Sequence, residues 1–141
     1  MKVKRLLRFY FCAEELNSAL DDIIVHKAVG SGMGACTERC ADEILKVIEA
    51  KGELSALWNY LDGIFCTLGA EDVRRLERYA MMRRSLRSLA EAERRGVHSS
   101  LMKFARRNVN FGCRFDVAMK VLGAYYCLIP PRADGVCQSG G

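Results

Sequence analysis

The residues with the most chemistry in this chain are arginines crowded into its second half. Arg74, Arg75, Arg78, Arg83, Arg84, Arg87, Arg94, Arg95, Arg106 and Arg107 share one stretch with Lys103. A guanidinium is a planar fork of donors that grips phosphate or carboxylate oxygens in pairs, whereas lysine would serve for solubility alone. On a helix, Arg74 and Arg78 share a face, as do Arg83 with Arg87 and Arg84 with Arg87. The polar run His98, Ser99, Ser100 and Lys103 suits the start of a helix that contacts bases or phosphates. The candidate nucleic-acid contacts are therefore Arg74, Arg78, Arg83, Arg84, Arg87, Arg94, Arg95, Ser99, Ser100, Lys103, Arg106 and Arg107. The competing reading is a solvated basic face partly neutralised by Glu71, Asp72, Glu77, Glu91 and Glu93.

Charge is divided unevenly along the chain. Residues 1–70 hold 8 Lys/Arg against 10 Asp/Glu, and residues 71–141 hold 14 against 7, giving −2 and +7. A basic half on a folded scaffold calls for a polyanion or an acidic protein surface as partner. Nucleic acid, DNA first, is the favoured partner. A helical adaptor or inhibitor that docks its arginines on an acidic protein is the alternative.

Other chemistry is thin. The seven cysteines, Cys12, Cys36, Cys40, Cys66, Cys113, Cys127 and Cys137, are odd in number and irregular in spacing. They read as reduced thiols, not a disulfide framework. Cys36 and Cys40, with His26 nearby, supply three zinc ligands at most where a structural site wants four. His98 beside Ser99 and Ser100 has no acid placed to orient it, so the pair is not a catalytic triad. Gly30-Ser31-Gly32-Met33-Gly34 lacks the Gly-Lys-Ser/Thr ending of a phosphate loop and follows a helical pattern, not a strand. The expectation is a protein that is not an enzyme, with no catalytic residue, metal or cofactor.

The elements that must position the arginines are helical. The two prolines, Pro130 and Pro131, are adjacent, so residues 1–129 carry none, which suits a continuous helical pattern. Leu6, Phe9, Ala13, Leu16, Leu20 and Ile23 recur at three and four and predict a helix from about Lys2 to Val29. The glycine run 30–34 predicts a break. A second stripe, Cys40, Ile44, Val47, Lys51, Leu54, Trp58, Leu61, Phe65 and Leu68, predicts a helix over 36–68, with Gly52 as a candidate bend. Joined by a short glycine loop, the two make an antiparallel hairpin whose seam meets the rest of the chain or a second copy.

Gly69 and the acids Glu71 and Asp72 open a third helix, which runs to about Arg95 or divides near Arg84-Ser85. Gly96 is read as a break, followed by helices over 97–108 and 113–128 with a turn between them. The prediction is thus an all-α bundle of four to six helices with a long N-terminal antiparallel hairpin. Residues 1–129 form one domain, divided into the hairpin 1–68 and a basic helical subdomain 69–129, and 130–141 form a disordered tail. The basic, apolar start Met1 to Cys12 is interrupted by Arg8 and followed by acids with no small-residue cleavage site. No window approaches the roughly 18 apolar residues of a membrane span. The expected location is cytoplasmic, away from membranes, with the hairpin as a candidate homodimer seam.

The order of elements resembles small phage and mobile-element regulators of Firmicutes. In those, a coiled N-terminal region precedes a module similar to sigma-factor region 4. Leu76-Glu77-Arg78-Tyr79 carries the residue-level resemblance, since an Arg-Tyr pair precedes the reader module there. The segment 88–107 would then be a degenerate helix-turn-helix turning at Gly96-Val97. The resemblance implies DNA binding and transcriptional control and assigns no base-reading residue.

Overall fold

A computed structural model describes residues 2–31, 37–108 and 115–129, and these are helical with no strand. The helices are α1 (Lys2–Phe11), α2 (Ala13–Ser31), α3 (Thr37–Phe65), α4 (Ala70–Met81), α5 (Glu91–Arg107) and α6 (Asp116–Tyr125). Short 3-10 turns occupy Leu86–Ser88 and Tyr126–Leu128. The all-α bundle expected from the periodicity is what forms. No described helix is long and apolar enough to cross a membrane.

The first predicted helix is α1 and α2 in near-continuous succession. The Cys12 amide donates to the Arg8 carbonyl at 2.9 Å, and the Leu16 amide donates to the Cys12 carbonyl at 3.1 Å, so the ladder runs on through the junction. Helix α2 ends at Ser31, within the glycine run 30–34, and the rest of that run lies outside the described residues. Likewise α3 passes Gly52 without interruption.

Helices α2 and α3 form the expected antiparallel pair. Lys27 meets Glu43 at 3.2 Å, Lys51 is paired with Asp21, and Tyr10 of α1 donates to Asp62 at 2.6 Å. As residue number falls along one partner it rises along the other, which defines antiparallel packing. Leu16 and Leu20 are buried in one cluster with Val47, Leu54, Leu57 and Leu61 of α3. Each such leucine contributes about 1.5–3 kcal/mol on burial. The seam that could have met a second chain is therefore spent inside this one, with Leu57 and Leu61 wholly enclosed.

Tyr10 closes the lower end of this pair. Its ring stacks on Trp58 at 5.3 Å and on Phe65 at 4.2 Å, while the Trp58 indole donates to the Tyr10 carbonyl at 3.1 Å. Burial, reinforced by the Asp62 carboxylate, pushes the Tyr10 phenol well above its usual range.

One apolar cluster draws on all six helices, from Leu6, Leu7 and Phe9 of α1 to Ala118 and Leu122 of α6. Helix α6 packs chiefly on α3. The tail 130–141 and Cys36, Cys113 and Cys137 lie outside the described residues.

Candidate functional site

The arginines sit on a second antiparallel pair, α4 with α5. Asp72 faces Ser100 and Lys103, Arg75 faces Gly96, and Arg78 faces Glu93. Here too one number rises as the other falls. The pair is attached to the bundle through α1. Lys4 donates to the Met82 carbonyl at 2.7 Å and lies over the Tyr79 ring at 5.2 Å. Leu76, Ala80 and Phe104 join the common core.

Of the two courses expected for the third helix, the division near Arg84-Ser85 is the one that forms, whereas the expected break at Gly96 is absent. The third helix ends at Met81, and residues 82–90 form the connection. Met82, Ser85, Leu89 and Ala90 are all extended, with ψ between 143° and 164°. The Ser88 hydroxyl donates to the Ser85 carbonyl at 2.7 Å, a local bond that competes with helix. A continuous helix would also stack Arg83, Arg84 and Arg87 at repulsive three- and four-residue spacings. The shared faces expected for those three arginines are therefore absent.

Gly96 is no break. It lies inside α5, where a Cβ would stand 3.0 Å from Arg75 Nε and 3.3 Å from its Cζ. The Arg75 side chain lies against the glycine, and because α5 runs unbroken from Glu91 to Arg107 the helix-turn-helix with its turn at Gly96-Val97 does not exist. The helices that do face each other are joined by the longer connection 82–90.

Ser100 is also reassigned. Its side chain is 0% exposed, and its hydroxyl donates to Asp72 at 2.7 Å. Asp72, itself 6% exposed, also accepts from Lys103 at 3.1 Å, and Arg75 lies 3.9 Å away. Asp72 and Ser100 are the buried polar side chains among the described residues, and they satisfy each other. The Ser100 bond, seconded by Lys103 and Arg75, outweighs burial and holds the Asp72 carboxyl below the usual range. This clamp was missed because no local pattern links an acid in the first turn of one helix to a serine 28 positions on.

The remaining predicted contacts divide by partner. Arg74 is bound to Glu71, Arg78 to Glu93 at 2.7 Å and Arg95 to Glu91 at 2.7 Å. Arg107 donates to the Lys103 carbonyl at 3.2 Å, near the end of α5. Arg83, Arg84, Arg87, Arg94, Ser99 and Arg106 are exposed. Of these, Arg83, Arg87, Arg94 and Arg106 have no carboxylate within ion-pair distance among the described residues. The glutamates thus neutralise one set of arginines and leave another in water.

His98 is exposed and stands beside exposed Ser99. Tyr125 and Tyr126 are half-buried, with the Arg5 guanidinium 4.9 Å over the Tyr126 ring. No family model, curated protein or solved structure matches this chain.

Proposed function

We propose that this chain is a non-enzymatic nucleic-acid-binding protein whose α4–α5 pair grips backbone phosphates. The observation that carries the reading is four exposed arginines with no carboxylate within ion-pair distance among the described residues, Arg94 and Arg106 on α5 and Arg83 and Arg87 on the connection 82–90. Residues 70–108 hold 11 Lys/Arg against five Asp/Glu, so the net +6 exceeds the +5 of the whole chain. The role that suits such a protein is that of a phage or mobile-element transcriptional regulator, in keeping with the order of elements noted above.

The test is binding to labelled nucleic acid, followed by anisotropy, with salt as the variable. Each phosphate contact contributes a log–log slope of about −0.9, so several contacts make affinity collapse between about 50 and 200 mM salt. Arg83→Glu combined with Arg87→Glu should abolish binding while leaving the melting temperature nearly unchanged, because both side chains are exposed. Unchanged affinity would remove this surface, and absence of binding would turn attention to an acidic protein partner.

A further inference from the structure

We infer that the open side of the α2–α3 pair docks on the same side of a second copy of this chain, closing a four-helix bundle. This does not rest on the nucleic-acid reading above. The leucine seam that joins α2 to α3 is spent inside one chain, and the docking face lies beside it. A shared hollow marks that side. Glu14 and Asn17 of α2 line it together with Lys51, Ser55 and Asn59 of α3. Helix α6 lies along the opposite flank of α3, where Val117 and Lys120 share a hollow with Glu49 and Glu53.

The helical period carries that side toward the far end of the pair. At about 100° per residue, positions about seven or eleven apart return to within about 20° of each other. Ile24 and Val25 thus share a side with Asn17 and Glu14, and Ile44 and Ile48 share one with Lys51 and Ser55. Val25 is 61% and Ile48 50% exposed, although both are aliphatic. The face has this aliphatic end and an end of amides and hydroxyl, Asn17, Ser55 and Asn59, with the Asp21–Lys51 ion pair between them. Asp42, Glu49 and Glu53 fall on the other flank of α3 by the same period. An exposed apolar patch rimmed by polar groups marks a protein interface.

A second copy is the occupant because the face is complementary to itself. A two-fold axis parallel to the helices lays α2 of one copy over α3 of the other and makes every neighbour antiparallel, as in four-helix bundles. This rotation preserves height along the bundle. Asp21 and Lys51 stand at one height, as their ion pair shows. Each Asp21 therefore comes over the partner's Lys51, and the four charges alternate in sign around the axis. Ile24 and Val25 come over the partner's Ile44 and Ile48, aliphatic on aliphatic. The polar ends meet each other and leave room for bridging water, as interfaces do. A two-fold running across the helices would set Asp21 on Asp21 instead. The stretch 13–28 of α2 is about 24 Å long, and two helices side by side are about 20 Å wide. Pairing thus covers about 500 Å² on each copy and about 1,000 Å² in all, the lower end of specific interfaces. A dimer of that size has a dissociation constant on the order of micromolar.

The experiment is analytical ultracentrifugation of the full chain, free of nucleic acid, from about 1 to 100 μM, a range that brackets micromolar constants. The native chain should pass from monomer to dimer. Val25→Asp and Ile48→Asp should each weaken the dimer about tenfold or more, with the melting temperature at the lowest concentration unchanged, because both side chains are exposed. Val117→Asp is the control, since Val117 is 56% exposed on α6, away from the face, and should leave the dimer intact. The double swap Asp21→Lys with Lys51→Asp keeps both the internal and the crosswise pairs, so that chain should dimerise with itself and refuse the native chain. A native chain that stays monomeric throughout overturns the inference and leaves the face to another protein. So does a dimer that neither face variant weakens, one that Val117→Asp weakens equally, or free mixing of the swapped and native chains.

Discussion

The two antiparallel pairs in this molecule are held together in different ways. The α2–α3 pair is long and joins through an apolar seam, with ion pairs confined to its rim. Lys27–Glu43 and Lys51–Asp21 are partly exposed there, and such pairs are worth about 0–1 kcal/mol each. The α4–α5 pair is shorter and cannot bury as much hydrocarbon. At the end where α4 begins it places a carboxylate, a hydroxyl and an ammonium that satisfy one another. A seam of leucines tolerates small slips along its length, whereas a three-group hydrogen-bonded cluster fixes one register. The pair that presents the arginines is the one with the register lock.

Breaking the apolar seam should have the largest effect. Leu61→Ala removes a fully buried side chain and should destabilise the chain by about 2–5 kcal/mol, read by thermal or denaturant unfolding. The control is Leu45→Ala on the same helix. Leu45 is 52% exposed, and its loss should fall within about 0.5 kcal/mol of zero. Similar effects at both positions would mean that the seam is placed on the wrong face of α3.

Breaking the polar clamp should come next. Asp72→Ala leaves the Ser100 hydroxyl buried without its acceptor, at a cost of about 1–3 kcal/mol. The native clamp also has a pH signature. Because the folded carboxyl is held below its usual range, its stabilisation is present in full above the unfolded value of about 3.9. It fades as the pH falls further. Asp72→Asn should flatten that part of the acid unfolding curve. An acid limb identical in both proteins would show that the clamp carries no differential proton affinity.

The seam was legible in the sequence and the clamp was not, for a physical reason. Apolar spacing at three and four repeats within one helix, so Leu54, Leu61 and Phe65 announce their face locally, as do Leu6, Phe9 and Leu16. The Asp72–Ser100 contact joins helices across a connection, and neither residue is unusual among its neighbours. Read locally, Ser100 belongs to a polar run with Ser99, and only the fold separates them, one inward and one outward. Gly96 misled in the same way. A glycine inside a helical pattern marks a break, a cap or a close approach, and sequence alone does not say which. Gly30, Gly52 and Gly96 all lie inside helices. Which arginines keep free guanidinium groups was likewise hidden, because Arg78 is answered by Glu93 on the facing helix.

The smallest predicted effect compares those glycines directly. Alanine in place of a mid-helix glycine stabilises by about 0.5–1 kcal/mol where space allows, because the unfolded chain loses freedom. At Gly52 a new Cβ would meet nothing within 4 Å, so Gly52→Ala should deliver that gain as a raised melting temperature. At Gly96 the same backbone gain is opposed, since the Cβ would press on Arg75 Nε at 3.0 Å. Arg75 can yield, because it is half-exposed and held loosely, 3.8 Å from Glu71 and 3.9 Å from Asp72. Its displacement takes a cation away from the clamp, so Gly96→Ala should come out near zero instead of stabilising. If both substitutions raise the melting temperature equally, Arg75 contributes nothing to the packing of α4 on α5. The register of the arginine-bearing pair would then rest on Asp72 and Ser100 alone.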